Sequence, residues 1–375
     1  MTLGEGSMTW GGFREGVDVG RFALRWSMSR RFRVNTIVDF RFIVFFIGAA
    51  LLASCAQAQY GASPSNSIGQ ATRLEPRVAF GTYPSPAPGR YFASIRGAAS
   101  GRGWLSPAST SGQPLLYAAD GSKIWIYPET GSSVSPIGEI TNGVTSAYGL
   151  FVDRYQDLYL TNWQNNTVEM YPPGSVNPSR EYSASLREPL YAVVNHQGNL
   201  FVSNADGGTV TEFLAGSTTV RRSVQSEGTE ADGMDFDRHG NLYVAYRTSS
   251  GAGIDRFSPD LQHRRNLGIS LVQPQGLIVT HSGAIFVVET NYASALDKFL
   301  PGQQTPELHF VPPHTLTELA LARDDRTLYA SSLEDQVYSM TFPLSASSLF
   351  DLVLTVGSSG YPPVQGMALS NGQRF

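Results

Sequence analysis

The sequence is poor in cysteine, in charge and in long apolar or amphipathic segments. Only one of its 375 residues is cysteine, which excludes an intramolecular disulfide framework, and only 15% of the residues are charged. No helix-period pattern of any length occurs, and no apolar run reaches the roughly 20 residues that a membrane-spanning helix needs. Aromatic residues, at 11%, and 38 glycines are well represented instead. This composition predicts a β-rich globular body.

An excess of basic charge is also missing. The whole chain carries 27 basic and 31 acidic residues, a formal net charge of −4. Seven basic and four acidic residues precede position 55, so the remainder holds 20 basic and 27 acidic residues, a net charge of −7. Nucleic-acid binding depends on a basic patch or stripe, and none remains after position 54. We therefore expect no nucleic-acid partner.

The first 54 residues are predicted to form a signal peptide. Several arginines precede the 13-residue apolar run FIVFFIGAALLAS, which starts at Phe42. That length is typical of a signal h-region and is short for a membrane span. Residues 1–27 fit no targeting pattern, and an over-extended start is one interpretation of them, since Met28 opens a more ordinary signal peptide. The chain is therefore expected to be exported.

The lone cysteine, Cys55, ends the stretch LASC directly after this run. The stretch resembles the bacterial lipobox, in which the cysteine sulfur carries diacylglycerol. The resemblance implies a lipoprotein of the cell envelope, and Ala56 favours the outer membrane, with the protein facing the periplasm or the surface. Several acyl chains would anchor it stably, whereas a single chain would be marginal. Ordinary cleavage after Ala58 and an uncleaved anchor remain open as alternatives.

Residues 55–113 differ from both neighbouring regions in composition. They are rich in Ser, Ala, Gly and Pro, with YPSPAPGR at their centre. Such segments act as flexible or semi-rigid spacers, so we predict a tether here. Trp104 and Leu105 are expected to pack on the rim of the domain that follows.

A pattern of about 42 residues recurs along the rest of the chain. Its copies read YGLFVDRYQDLYL, LYAVVNHQGNLFV, DGMDFDRHGNLYV, QGLIVTHSGAIFV and ELALARDDRTLYA. They begin at Tyr148, Leu190, Asp232, Gln275 and Glu318, 42 or 43 residues apart. Each copy holds two strand-like runs around a turn, and a third run, and in most copies a fourth, follows. Four strands per unit of this length predict the blades of a β-propeller.

The two ends of the repeat array predict one shared blade. LLYAADGSKIWIYP, from Leu115, supplies a second and a third strand without a first strand, and VQGMALSNG, from Val364, supplies a first strand alone. Five complete blades and this composite blade make six, and closure by the C-terminal strand leaves no open seam. The sequence therefore predicts an all-β, six-bladed propeller of four-stranded blades over residues 114–375, most simply a monomer.

The repeat and the split closing blade resemble those of the NHL-repeat and SMP-30 (gluconolactonase-like) six-bladed propellers, over roughly Leu115 to Phe375. The resemblance implies the fold and no single activity. DGM at Asp232 resembles the lactonase segment that carries a metal-binding aspartate, which implies a possible calcium site. The two preceding blades offer Leu190 and Tyr148 instead of further ligands, and Gln365 stands where the lactonases have a glutamate. Only one ligand therefore carries over.

Two sets of loops are expected to meet on one propeller face, around the central channel. They are the loops that enter the first strands and the loops that join the second and third strands. The candidate binding residues at this channel mouth are Asp232, Gln275, Glu318, Gln365, Glu289 and Tyr148. Carboxylate oxygens suit calcium, so Asp232, Glu318 and Glu289 form a candidate metal-ligand set. The competing interpretation is a wet channel mouth at which Asp232 is exposed or satisfied by water.

Two functions follow from this site. The first is a non-catalytic, membrane-tethered propeller that binds a protein, a glycan or a small molecule at its channel face, with no cofactor firmly predicted. The second is a metal-dependent lactonase or esterase of the SMP-30 type, in which the bound cation activates water or polarises a carbonyl. No nucleophile elbow or phosphate loop indicates another enzyme class. The sequence favours the first function.

Overall fold

The computed structural model describes residues 103–105, 113–129, 135–290, 294–324, 326–341, 351–356, 364–370 and 372. Their regular elements are β-strands arranged in six sheets. In this part of the chain no helix is long and apolar enough to cross a membrane. The predicted signal peptide, Cys55 and the predicted tether up to residue 102 lie outside the described residues.

Five of the sheets are blades of four consecutive antiparallel strands. Blade 2 contains β5 (Ala147–Val152), β6 (Leu158–Asn162), β7 (Thr167–Tyr171) and β8 (Arg180–Tyr182). Blade 3 contains β9 (Pro189–Val194), β10 (Leu200–Asn204), β11 (Thr209–Phe213) and β12 (Val220–Gln225). Blade 4 contains β13 (Glu230–Phe236), β14 (Leu242–Thr248), β15 (Gly251–Phe257) and β16 (Arg264–Asn266). Blade 5 contains β17 (Pro274–Val279), β18 (Ile285–Glu289), β19 (Ala295–Phe299) and β20 (Leu308–Phe310). Blade 6 contains β21 (Leu316–Leu321), β22 (Thr327–Ser332), β23 (Gln336–Thr341) and β24 (Asp351–Thr355).

The sixth sheet, blade 1, joins the two ends of the repeat array. It contains β1 (Trp104–Leu105), β2 (Leu115–Ala119), β3 (Ile124–Pro128), β4 (Gly138–Ile140) and the C-terminal β25 (Gly366–Leu369). The strands lie in the order β1, β4, β3, β2, β25, so the C-terminal strand is the innermost one. The Leu115 N–H donates to the Ser370 hydroxyl at 2.7 Å, and the Ser370 N–H donates to the Leu115 carbonyl at 2.8 Å. The predicted composite blade, and with it the six-bladed propeller, is confirmed.

The hydrophobic core lies between neighbouring blades. Between blades 3 and 4, for example, Val193 and Phe201 pack with Met234, Phe236 and Val244. The Phe201 and Phe236 rings meet edge to face, with their centroids 5.1 Å apart. Strand alternation sends every second side chain to each face of a blade, so both faces are covered by neighbours. The first strands contact one another in cyclic order, from β25 through β5, β9, β13, β17 and β21 back to β25.

The turn between the first and second strands explains the recurring Asp or Asn of the repeat. In blade 4 one carboxylate oxygen of Asp237 accepts the backbone N–H groups of His239 and Asn241, both at 2.9 Å. Asp153 and Asn195 make the same pair of contacts in blades 2 and 3. A short side chain that accepts hydrogen bonds from its own turn is an Asx-turn. The Asp or Asn at this position of the repeat therefore has a structural role, which is to hold the turn.

Each complete blade has a register shift in its first strand. The shift falls between Ala231 and Met234 in blade 4, and at the matching place in blades 2, 3, 5 and 6. A bulge re-aims the side chains that it leaves unpaired. The positions that it frees include the first residues of the five predicted repeat copies, Tyr148, Leu190, Asp232, Gln275 and Glu318, which together with Gln365 of blade 1 we call the first-strand ring. The backbone thus presents this ring to the channel.

Glycine follows the ring position in four of the six blades because neighbouring first strands approach closely there. A Cβ atom on Gly233 would lie 2.2 Å from the Gln275 carbonyl oxygen, and one on Gly366 would lie 2.1 Å from the Tyr148 carbonyl oxygen. No side chain fits at such distances. Blades 3 and 6 are the exceptions, with Tyr191 and Leu319 at the matching positions.

Candidate functional site

The predicted ring residues meet inside the channel and form a polar cluster. The Tyr148 hydroxyl of blade 2 donates a 2.5 Å hydrogen bond to the side-chain oxygen of Gln275 in blade 5. Blades 2 and 5 are three places apart in a ring of six, so this bond joins opposite sides of the channel. At this level the channel is bridged from side to side. A ligand at its mouth would meet residues of several blades at once.

Asp232 is completely buried and is paired with Arg247. The guanidinium of Arg247 donates to both carboxylate oxygens, through Nε at 2.8 Å and through Nη2 at 3.0 Å. Glu230, at 3.0 Å from Nη2, completes an ion-pair triad. Burial raises the pKa of Asp232 to about 6, and Arg247 opposes that rise. The expectation of an exposed or water-satisfied Asp232 was therefore wrong.

Glu318 is buried and is held by backbone N–H groups of two other blades. Its Oε2 accepts the Met367 N–H of blade 1 at 2.7 Å, and the carboxyl also accepts the Leu150 N–H of blade 2. The innermost strand of each blade is an edge strand, whose unpaired N–H groups need acceptors. Burial raises the pKa of Glu318 well above its usual range. Glu318 of blade 6 therefore satisfies backbone N–H groups on the inner edges of blade 1, which contains the closure, and of blade 2.

Tyr191 stands beside Tyr148 in the same cluster. The two rings meet edge to face, with their centroids 5.7 Å apart. The residue is 5% exposed, and its hydroxyl has no hydrogen-bond partner among the described residues. Burial raises the pKa of this hydroxyl, and the nearby Tyr148, Glu318 and Asp232 raise it further. Burying a hydroxyl without a hydrogen-bond partner destabilises the folded protein, so a ligand that forms a hydrogen bond with Tyr191 would be favoured here.

The remaining candidates lie apart from this cluster or at its margin. Gln365 precedes β25 and is half-buried, and its backbone N–H donates to the Ala119 carbonyl at 3.0 Å. Glu289, at the end of β18, accepts the backbone N–H groups of Val272 and Gln273. It also contacts Asp297 within blade 5. Glu289 therefore stabilises the loop that enters its own blade.

The contact made by Glu289 repeats in other blades. Asn162 accepts the Thr145 N–H, and Asn204 accepts the Arg187 N–H, at 3.0 and 2.9 Å. In each case the side chain at the end of a second strand accepts from a residue 17 positions earlier, in the loop that enters the first strand. Polar residues at this ring of positions thus have a structural role that the sequence did not reveal.

The predicted calcium ligands have separate protein partners. Asp232 is paired with Arg247, Glu318 with backbone N–H groups, and Glu289 with its entry loop. No group of three or more His, Cys, Asp and Glu side chains in the described part of the chain is arranged to hold a metal ion. Calcium binding by Asp232, Glu318 and Glu289 stays a prediction, and it would require these contacts to rearrange.

Two members of the cluster, Arg247 and Tyr191, were not predicted from the sequence. Arg247 follows Tyr246, the blade 4 counterpart of Asn162, Asn204 and Glu289. The residues that match Arg247 in the other five blades are Gly121, Trp163, Ala205, Thr290 and Leu333. It is the only charged residue in that column. Tyr191 replaces the glycine found in four other copies of the first strand. Both departures from the repeat are visible in an alignment of the blades, and both mark channel residues.

Comparison with known proteins supports the fold. No family model matches the chain, and no curated protein does. Among solved structures, a chain of a nidogen/laminin complex is similar at a TM-score of 0.59 and 17% identity, with 70% of this chain and all of that chain covered. A candidate gluconolactonase is similar at a TM-score of 0.50 and 15% identity, covering 67% of this chain and 89% of that one. At such identities the likeness shows the fold alone, and the protein is a six-bladed β-propeller.

Proposed function

We propose that this protein is a non-catalytic β-propeller that binds a polar ligand at its channel mouth. The hydrogen bond between Tyr148 and Gln275 carries the proposal, because it shows that polar ring residues from opposite blades converge at one place. The Arg247 side chain, 20% exposed, and the half-buried Tyr148 give the cluster access to solvent. A few convergent polar groups beside aromatic rings are typical of ligand sites.

The protein, and with it the proposed site, would lie in the cell envelope. Lipidation of Cys55 would anchor the chain in a membrane, and the propeller would present its channel face to a protein, a glycan or a small molecule. The ion pair between Asp232 and Arg247 favours binding over metal-assisted hydrolysis, since a cation would have to displace Arg247 from both carboxylate oxygens. The propeller would therefore recognise its ligand with protein groups alone.

A ligand screen on the purified full chain tests this proposal. Thermal-shift measurements with sugars, amines and short peptides are expected to find a ligand that stabilises the wild type and has no effect on Tyr148→Phe. Tyr155→Phe is the matched control, since Tyr155 is 59% exposed and lies in the turn that follows the first strand of the same blade. Lactone or ester turnover that requires calcium and is lost in Asp232→Ala would instead support the hydrolase.

A further inference from the structure

The charge of the channel cluster decides which ligands it favours. Its described ionisable groups include three carboxyls, those of Glu230, Asp232 and Glu318, and a single guanidinium, that of Arg247. Arg247 is already shared between Glu230 and Asp232. An added anion would meet excess negative charge in a poorly solvated place, whereas an added cation would relieve it. The balance therefore favours a cationic ligand.

Glu318 is the carboxyl left without a cation. Among the described residues only backbone N–H groups act as its donors, and no Lys, Arg or His pairs with it. A buried carboxyl in this situation is costly to ionise and takes up a proton, which agrees with the raised pKa of Glu318. A cationic guest would supply the missing partner.

The Tyr191 hydroxyl is a second, independent indication that a ligand binds here. It lies near the Tyr148 hydroxyl, Glu318 and Asp232, and it has no hydrogen-bond partner in the described part of the chain. A hydroxyl oxygen can accept a hydrogen bond from an ammonium group. The neighbouring tyrosine rings add favourable contacts for a cation and its aliphatic stem. The carboxylate and hydroxyl oxygens can accept hydrogen bonds from an ammonium group, and the aromatic rings can contact its positive charge.

We propose that the channel binds a primary ammonium group of a small aliphatic amine, held by the Glu318 carboxylate and the Tyr191 hydroxyl. This inference rests on the proposed channel-mouth function. The bond from Tyr148 to Gln275 crosses the channel, so a guest would have to pass beside it to reach Glu318, which favours a slender aliphatic chain. Binding of the ammonium ion to protonated Glu318 releases one proton to solvent and leaves a carboxylate paired with the ammonium.

Isothermal titration calorimetry of the full chain with n-butylammonium chloride tests the inference. Titration with n-butanol measures what the aliphatic stem contributes, and titration with potassium chloride measures the effect of ionic strength. We expect saturable binding of the amine alone. The affinity should rise with pH, by up to tenfold per unit, while Glu318 is protonated in the free protein. Proton release should make the binding heat depend on the ionisation enthalpy of the buffer.

Two variants separate ligand contact from structural support. Glu318→Gln keeps an acceptor for the backbone N–H groups and is expected to abolish amine binding, whereas Glu334→Gln, a half-exposed site in the same blade, should leave binding unchanged. Tyr191→Phe should weaken binding about tenfold without lowering the melting temperature, because its hydroxyl has no protein partner to lose.

The outcomes are distinguishable. Equal binding of butanol, or amine binding that survives Glu318→Gln, would overturn the ammonium assignment. If the amine did not bind but a neutral ligand did, and its binding required Tyr148, the ammonium assignment would be overturned. The proposed function would then stand. If neither the amine nor any compound of the wider screen bound to the channel, both proposals would fail.

Discussion

Replacing Arg247 with methionine removes the cation that neutralises a fully buried carboxylate. Arg247 holds both oxygens of Asp232, and its side chain is 20% exposed, so methionine can occupy much of the same space. Breaking one side of a buried ion pair typically costs about 3 to 5 kcal/mol. Asp232 can limit the cost by staying protonated, and the loss should therefore depend on pH.

The size of this dependence follows from the pKa values. The unfolded pKa of Asp is about 3.9, so keeping the carboxyl protonated at pH 7.5 costs about 5 kcal/mol, against about 1.5 kcal/mol at pH 5. In the wild type the pKa of Asp232 is about 6, so at pH 5 much of the ion pair is already lost. We expect Arg247→Met to lower the free energy of unfolding by about 3 to 5 kcal/mol at pH 7.5 and by less than about 2 kcal/mol at pH 5.

Urea denaturation at the two pH values measures this difference. Arg187→Met is the matched control, because Arg187 pairs with Asp206 at 3.8 Å and both side chains are largely exposed. It should cost less than about 1 kcal/mol at either pH. The double variant Asp232→Asn with Arg247→Met should recover part of the loss at pH 7.5. An Arg247→Met effect no larger than the control would refute the buried ion pair.

Three further predictions concern the anchor, the closure and the pH dependence of stability. Cys55→Ser is expected to release the protein from the membrane fraction, and a soluble wild type that begins at Gln59 would rule out the lipoprotein. Deletion of residues 364–375 removes β25 and its bonds to β2, so the thermal transition should broaden and shift downwards, whereas an unchanged melting curve would contradict ring closure. Burial raises the pKa of Glu169 and of Asp235 to about 7 and that of Asp232 to about 6. Since these folded pKa values lie above the unfolded ones, the stability they contribute is complete below pH 4 and is lost as the pH rises to about 7. Glu169→Gln should flatten this part of the profile, and a profile that rises with pH and is unaffected by the substitution would show the sign to be wrong.

The repeat predicted the fold because strand period, turn chemistry and blade length are local properties. Asp237 and its turn could be interpreted from the local stretch DRHG alone. The closing strand could also be predicted, because the first copy lacked a first strand and the last copy lacked the others. Each of these features depends on short segments with a repeated pattern.

The chemistry of the ring residues was harder to predict, because it depends on contacts between distant blades. Tyr148 and Gln275 are 127 positions apart, and Glu318 and Met367 are 49 apart. A ring position on its own does not reveal whether a carboxylate faces water, a guanidinium or a backbone N–H. The bulge that turns these side chains into the channel is likewise a property of strand pairing. For this reason the burial of Asp232 and the separate role of Glu289 could not be predicted.

Isothermal titration calorimetry of the purified full chain with calcium tests most directly whether protein groups alone satisfy the channel carboxylates. With Asp232 held by Arg247 and Glu318 by two backbone N–H groups, we expect no saturable calcium binding up to millimolar concentration and an identical trace for Asp232→Ala. Stoichiometric calcium binding by the wild type that disappears in Asp232→Ala would contradict this account and favour the metal-dependent hydrolase.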